Sequence, residues 1–161
     1  MKAGFTQSLS PSQFGGSTWI QGYMMKKAIT RRNRKILDVA HNMDTGLSLF
    51  TMGRGMYDRL PEEIKPDLVG KATPTRGRGV LHFGIAGAGK GSGLNSIIQI
   101  DTAQEVAAGR GQTFTDLHLS ECAHWQDSQK ALGLMPAVPK RPGTSIFLES
   151  TANGLNWFHQ R

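Results

Sequence analysis

Short apolar runs alternate with segments of helical period, and that alternation most restricts what this chain can become. Ile36-Leu-Asp-Val-Ala40, Val80-Leu-His-Phe83, Ser96-Ile-Ile-Gln-Ile100, Phe114 to Leu119 and Thr144-Ser-Ile-Phe-Leu148 all have strand length and β-branched or aromatic content. Trp19, Ile20, Tyr23, Met24, Ala28 and Ile29 recur instead at helical spacing, behind Ser17 and Thr18 as opening residues. A second helix is expected from Asn42 or Asp44 to about Leu60, burying Leu47, Phe50, Met56, Tyr57 and Leu60. Asp127 to Leu134 reads as a short third helix. Helices interleaved with apolar strands predict an α/β sheet with helices packed on it. Residues 80–100 read as an antiparallel hairpin inserted in that pattern. Residues 1–16 read as a loop and 61–78, with Pro61, Pro66 and Pro74, as a surface connection.

The 161 residues suffice for one domain with a real core, and 38% hydrophobic against 19% charged residues excludes global disorder. Lys and Arg number 19 against 12 Asp and Glu, a net +7 that favours polyanionic partners. Cys122 stands alone, which excludes an internal disulfide and a cysteine-based zinc site. The first fourteen residues lack the apolar core of a signal peptide, and no apolar run is long enough to span a bilayer. His118, between Leu117 and Leu119, reads as a packed and hydrogen-bonded histidine. Trp19, Trp125 and Trp157 read as core anchors.

Gly84-Ile-Ala-Gly-Ala-Gly-Lys-Gly91 comes close to a phosphate-binding loop. Such a loop must carry Ser or Thr directly after the lysine, for Mg²⁺, and must open a helix whose N-terminus faces the anion. Here Gly91 follows Lys90, and the next residues read as a turn and a strand. The segment is therefore expected to be the tip of the hairpin.

Two other segments are far more specific. Gly109-Arg-Gly-Gln-Thr-Phe-Thr-Asp-Leu-His-Leu-Ser-Glu-Cys-Ala-His-Trp125 precedes Phe147-Leu-Glu-Ser-Thr-Ala-Asn-Gly154, and Asn156 and Phe158 follow. Together, in this order and spacing, they resemble the Walker B and coupling segments of tailed-phage terminase large subunits. Asp38-Val-Ala-His-Asn42, Leu60-Pro61 and Ile100-Asp-Thr-Ala103 resemble the family's intervening segments, so the likeness runs from about Gln13 to the end.

The resemblance implies an ASCE-type P-loop NTPase sheet with flanking helices and an inserted hairpin, truncated at its C-terminal edge. The implied activity is ATP hydrolysis with Mg²⁺ to drive viral DNA into procapsids. Glu121, at the end of a buried strand, would orient the attacking water. Arg110 matches the arginine finger that reaches a neighbouring subunit's ATP. Ser150, Thr151 and Asn153 match the coupling segment. Ser120 holds the usual Walker B Asp position and, with Ser17, would hold Mg²⁺. The family's phosphate loop reads roughly KxRQxGxST. Ser10-Pro-Ser-Gln-Phe-Gly-Gly-Ser-Thr18 keeps Gln13, Gly15, Ser17 and Thr18 but has Ser10 and Ser12 in place of the Lys and Arg, and Gly16 where ordinary P-loops carry Lys. Implied partners are double-stranded DNA, a portal protein, a small terminase subunit and further copies in a ring, in the host cytoplasm and without a membrane. The family's nuclease domain is expected to be absent after Arg161, with 1–16 as the segment before the partial ATPase domain of 17–161. A chain with so altered a phosphate loop could also be an impaired remnant that only binds DNA or partner subunits.

Overall fold

Strand β2 (Lys35–Ala40) explains the layering best. Its residues alternate between two buried faces, with Ile36 and Ala40 on one side and Leu37 and Val39 on the other. A strand buried on both faces sits inside a sheet covered by helices on each side. The structure, a computed structural model, describes residues 15–70, 73–85, 93–105 and 111–160 in full, and the backbone of 4–9.

Among the described residues the sheet has seven strands in the order β1-β7-β6-β2-β5-β4-β3. β1 (Gly4–Leu9), β7 (Ser145–Ser150), β6 (Asp116–Leu119), β2 and β5 (Ser96–Thr102) are mutually parallel. β4 (Gly79–Gly84) and β3 (Asp67–Leu68) continue the sheet antiparallel. The expected hairpin is real, since Leu81 lies opposite Ile98, but β5 also pairs along its length with β2. The hairpin is thus half core strand and half edge. Lys90 and its neighbours lie outside the described residues. The chain beyond them enters β5, not a helix.

Residues 4–9 form a strand where a loop was expected. Gly-Phe-Thr-Gln-Ser-Leu has little apolar alternation, so its sequence carries no strand signal; its backbone pairs in parallel with β7 at the sheet edge.

Helices α1 (Gly16–Thr30) and α2 (Met43–Asp58) cover one face, and α3 (Ser128–Leu134) with the turn around Phe158 covers the other. Asn42 opens α2 by accepting a 2.9 Å hydrogen bond from Thr45 N. Asp127 does the same for α3 from Gln129 N at 2.9 Å. The buried side of α2 differs from expectation: Leu49, Phe50 and Tyr57 are inside, whereas Leu47 is 47% exposed. The cause is Gly46. A Cβ there would strike the carbonyl of Gly77, and a Cβ at Gly77, whose φ is +71°, would come 2.5 Å from Met43 O. This backbone-on-backbone approach sets the rotation of the helix and turns Leu47 outward. Trp125 is buried as expected and Trp157 partly so, but Trp19 is 62% exposed and stacks on Tyr23 at 5.6 Å. Among the described residues, no helix is long and apolar enough to cross a membrane.

The face under α1 also contains a polar layer. Asp116 and His118 of β6 and Glu149 of β7 are each at most 3% exposed, as is Asp38 of β2. Lys27 of α1 is buried against Asp116 and gives a 2.9 Å hydrogen bond to Ser145 Oγ.

Candidate functional site

The strands β2, β6 and β7 end at one edge of the sheet, the edge where ligands bind in open α/β folds. His41 follows β2, Ser120 and Glu121 follow β6, and Glu149 and Ser150 end β7, with Thr151 next. The N-terminus of α1 brings Ser17 to the same place. A cleft of about 310 Å³ results, lined by Ser17, His41, Ser120, Glu121, His124 and Thr151, with the first turns of α2 as its wall.

Glu121 is held in an unusual way. Its backbone is left-handed, at φ 54° and ψ 46°, which for a side chain other than glycine costs about 1–3 kcal/mol. Tight hydrogen bonding offsets that cost. Glu121 Oε2 accepts from Thr151 N at 3.0 Å, Thr151 Oγ1 at 2.9 Å and Ser150 Oγ at 3.2 Å. Its Oε1 has no partner among the described residues. The end of β6 is thus tied to the segment after β7. Asn153 and Asn156 fasten that segment further, each giving its amide to Ala123 O, at 3.0 and 2.9 Å.

Ser17 and Ser120 meet through a third residue. Ser17 Oγ donates to Glu149 Oε1 at 2.9 Å, and Ser120 Oγ donates to the same atom at 2.7 Å. Behind Glu149 stands His118, with Nε2 3.4 Å from Glu149 Oε1 and Nδ1 2.8 Å from Asp38 Oδ1. Both ring contacts are oblique, so the attraction is chiefly one of charge. Gln21 of α1 donates to Asp38 Oδ2. Burial by itself would strip His118 of its proton; the Asp38 and Glu149 carboxylates override burial and push its pKa up to about 9. Burial works on Glu149 in the opposite sense, yet the neighbouring His118 and hydrogen bonds from Ser120 and Ser17 hold its carboxyl below the usual range.

These shifts make a prediction for the free protein. A histidine whose pKa is raised on folding stabilises fully below its unfolded value of about 6.5 and ceases to do so as pH rises through about 9. Denaturation midpoints measured from pH 6 to 9.5 should fall across that window, with a loss on the order of 3 kcal/mol. A flat profile would show that His118 is not held protonated.

Of the residues singled out in sequence, Ser17, Ser120, Glu121, Ser150 and Thr151 converge on the cleft or its border. Gly15, as a left-handed cap, and Gly16 begin α1, and among the described residues no side chain caps that helix end and no acid occupies its first turn. Thr18 is exposed and does not line the cleft. Asn153 supports the turn at 122–124 and does not line the cleft. Gln13 and Arg110 lie outside the described residues. Three cleft features are not evident from the sequence. Glu149 lies inside the second motif with nothing local to mark its role. His41 and His124 lack metal-ligand spacing, yet their ring centroids come within 5.8 Å of each other. Burial and the neighbouring His124 hold the His41 pKa below its ordinary value, against the pull of Glu121. The alternation Asp116-Leu-His-Leu-Ser120 is a usable signal: polar residues at every second place of a central strand need polar partners on one face. Cys122 is no nucleophile, because burial pushes its thiol pKa up.

A parallel core with β7 standing between β1 and β6, and a helix that opens with glycines at the C-terminal edge, agree with the fold that the resemblance implied. The fold is similar to the large terminase ATPase domain of Thermus phage P74-26, with a TM-score of 0.68 and 21% identity over 97% of this chain and 62% of that one. It is similar also to the large terminase of bacteriophage HK97, with a TM-score of 0.59 and 14% identity over 92% of this chain and 29% of that one. The large terminase of a thermophilic bacteriophage, solved in complex with ADP, gives a TM-score of 0.53 and 12% identity over 92% and 34% of the two chains. The chain therefore has the large-terminase ATPase fold and spans about three fifths of the length of the solved ATPase domain, 62%. No protein-family model and no curated protein matches the sequence.

Proposed function

We propose that this chain is the ATP-hydrolysing part of a motor that packages viral DNA into procapsids. The observation that supports this reading best is the tie between Glu121, at the end of β6, and Ser150 and Thr151, at the end of β7, across the cleft from Ser17. ATP is the substrate. Its phosphates would lie against the backbone N–H groups of Gly16, Ser17 and Thr18, where an uncapped helix end favours an anion. Gln13 and Gly15 belong to the same loop.

The donor set suits Mg²⁺, a hard cation held by one or two protein oxygens together with phosphates and water. Ser17 and Ser120 would face it, and it supplies charge neutralisation on the phosphate oxygens when bound. Among the described residues no cluster of three or more His, Cys, Asp or Glu is placed to hold a metal ion.

In the reaction, Glu121 Oε1 orients a water and takes its proton as the water oxygen bonds to the γ-phosphorus and the bond to the β–γ bridging oxygen breaks. Loss of the γ-phosphate alters the charge beside Ser150 and Thr151, whose hydroxyls share Glu121 Oε2. That is the route by which hydrolysis would reach the DNA-gripping parts, with Asn153 anchoring the segment. Arg110 would complete the site from a neighbouring copy in a ring. Double-stranded DNA, a portal protein and a small terminase subunit are the partners this function needs.

One observation favours the second reading, an impaired remnant that binds DNA or partner subunits only. Among the described residues no Lys or Arg lines the cleft, and its basic groups are His41 and His124.

Location of the nucleotide is tested by calorimetric titration with ADP and Mg²⁺. Ser48→Trp, which fills the cleft from α2, should abolish binding, and Lys90→Ala should leave it unchanged. Loss of binding in Lys90→Ala alone would move the nucleotide to the 84–91 loop and refute the cleft.

A further inference from the structure

The two serines that face the expected metal carry no charge, and the position that resembles the Walker B Asp is Ser120. The structure nonetheless brings a carboxylate to that point from the next strand. Glu149 Oε1 accepts from Ser17 Oγ at 2.9 Å and from Ser120 Oγ at 2.7 Å, so one oxygen sits between both hydroxyls. β7 lies beside β6 in register Leu119 to Leu148, which places Glu149 alongside Ser120.

The local charge is unbalanced. Asp38, His118 and Glu149 form one buried row across β2, β6 and β7. Two carboxylates face one imidazole, so the row carries net negative charge whichever state His118 holds. No Lys or Arg among the described residues pairs with Asp38 or Glu149. If neutral hydrogen bonding to Ser17 and Ser120 were the whole task, a glutamine would serve without the cost of burying a charge. A buried carboxylate that accepts from two hydroxyls lining a cleft, directly behind them, instead provides negative charge for a hard divalent cation held at those hydroxyls.

We propose that Glu149 supplies the carboxylate of the Mg²⁺ site, in place of the charge that Ser120 lacks. Asp38 and His118 act as positioning residues behind it, and Gln21 ties Asp38 to α1. The proposal rests on the cleft being the nucleotide site. It adds that the metal's protein charge comes from the β7 side of the cleft and not from the end of β6.

The test is the Mg²⁺-dependent gain in ADP affinity, measured by calorimetry on the full chain with Mg²⁺ and with EDTA. Bound Mn²⁺ is followed in parallel by its electron paramagnetic resonance signal. In Glu149→Gln the gain and the bound-Mn²⁺ signal should fall by about 10- to 100-fold, while ADP affinity in EDTA stays as in the unaltered chain. Ser120→Asp in the Glu149→Gln background should restore both, since it returns a carboxylate to the same point. Glu149→Asp keeps the charge but shortens the reach, and should fold and lose part of the gain; it carries the test should Glu149→Gln fail to fold. A full Mg²⁺ gain in Glu149→Gln or in Glu149→Asp overturns the proposal and leaves the nucleotide site standing. Absence of ADP binding to the unaltered chain overturns the nucleotide site and this proposal with it.

Discussion

Asp116→Asn should cost about 3–5 kcal/mol of folding stability, the range for breaking one side of a buried ion pair. Asp116 is fully buried, and the Lys27 side chain beside it is 7% exposed. Their ion pair is embedded in further contacts. Thr115 Oγ1 donates to Asp116 Oδ2 at 2.8 Å, Lys27 Nζ donates to Ser145 Oγ at 2.9 Å, and Arg34 approaches Asp116 Oδ2 at 3.8 Å. The cluster fixes α1 to β6 and β7 at the end of the sheet away from the cleft. Neutralising the carboxylate leaves an ammonium group in the core with only neutral partners, the new amide oxygen, the Ser145 hydroxyl and the Tyr23 ring 5.0 Å away. Urea denaturation measures the loss. Arg54→Ala, which removes the exposed Arg54–Asp58 pair, is the control and should cost less than about 1 kcal/mol. A cost for Asp116→Asn no larger than that of the control would show that the Lys27 pair contributes nothing net.

That cluster also marks the limit of what the sequence states. The helical spacing of Ile20, Met24 and Ala28 is enough to locate α1 and its buried side. Lys27 falls on the same side, and nothing local says that a lysine will be buried; its partner lies 89 residues along the chain. Asn42 and Asp127 are legible as helix caps because capping is a contact between near neighbours. β1 is not legible, because its placement depends on backbone pairing with a strand more than a hundred residues later. Leu47 and Trp19 follow the helical pattern yet stay exposed, since the rotation of α2 is set by the Gly46–Gly77 contact and α1 presents Trp19 outward. In the cleft, the meeting of Glu121 with Ser150 and Thr151 comes from motifs the chain displays openly. Glu149 stands in the same motif, but its place between Ser17 and Ser120 depends on the register of β7 against β6, which residue types alone do not state.

The second large effect concerns Glu121. Gln at this position keeps the shape and still offers an oxygen to Ser150 and Thr151, so the fold should survive with its melting temperature nearly unchanged. What disappears is the capacity of Oε1 to take a proton. Removing a positioned general base lowers a rate by about 10²- to 10⁴-fold. Thr151→Ala should act differently. It removes one hydrogen bond to Glu121 while the Thr151 backbone N–H at 3.0 Å remains, so the carboxylate loses some of its hold but not its function. The left-handed backbone of Glu121 makes this contrast informative. It aims the side chain at the end of β7, and the strain is retained at a residue that ties the two strand ends together.

Steady-state ATP turnover by the purified chain in Mg²⁺, set against Glu121→Gln at equal concentration, tests the motor reading most directly. The account predicts Mg²⁺-dependent turnover that falls by at least about 10²-fold in Glu121→Gln, with both proteins equally folded by circular dichroism. Equal rates in the two proteins, or no turnover above that variant, would contradict it and leave a chain with the ATPase fold that binds without hydrolysing.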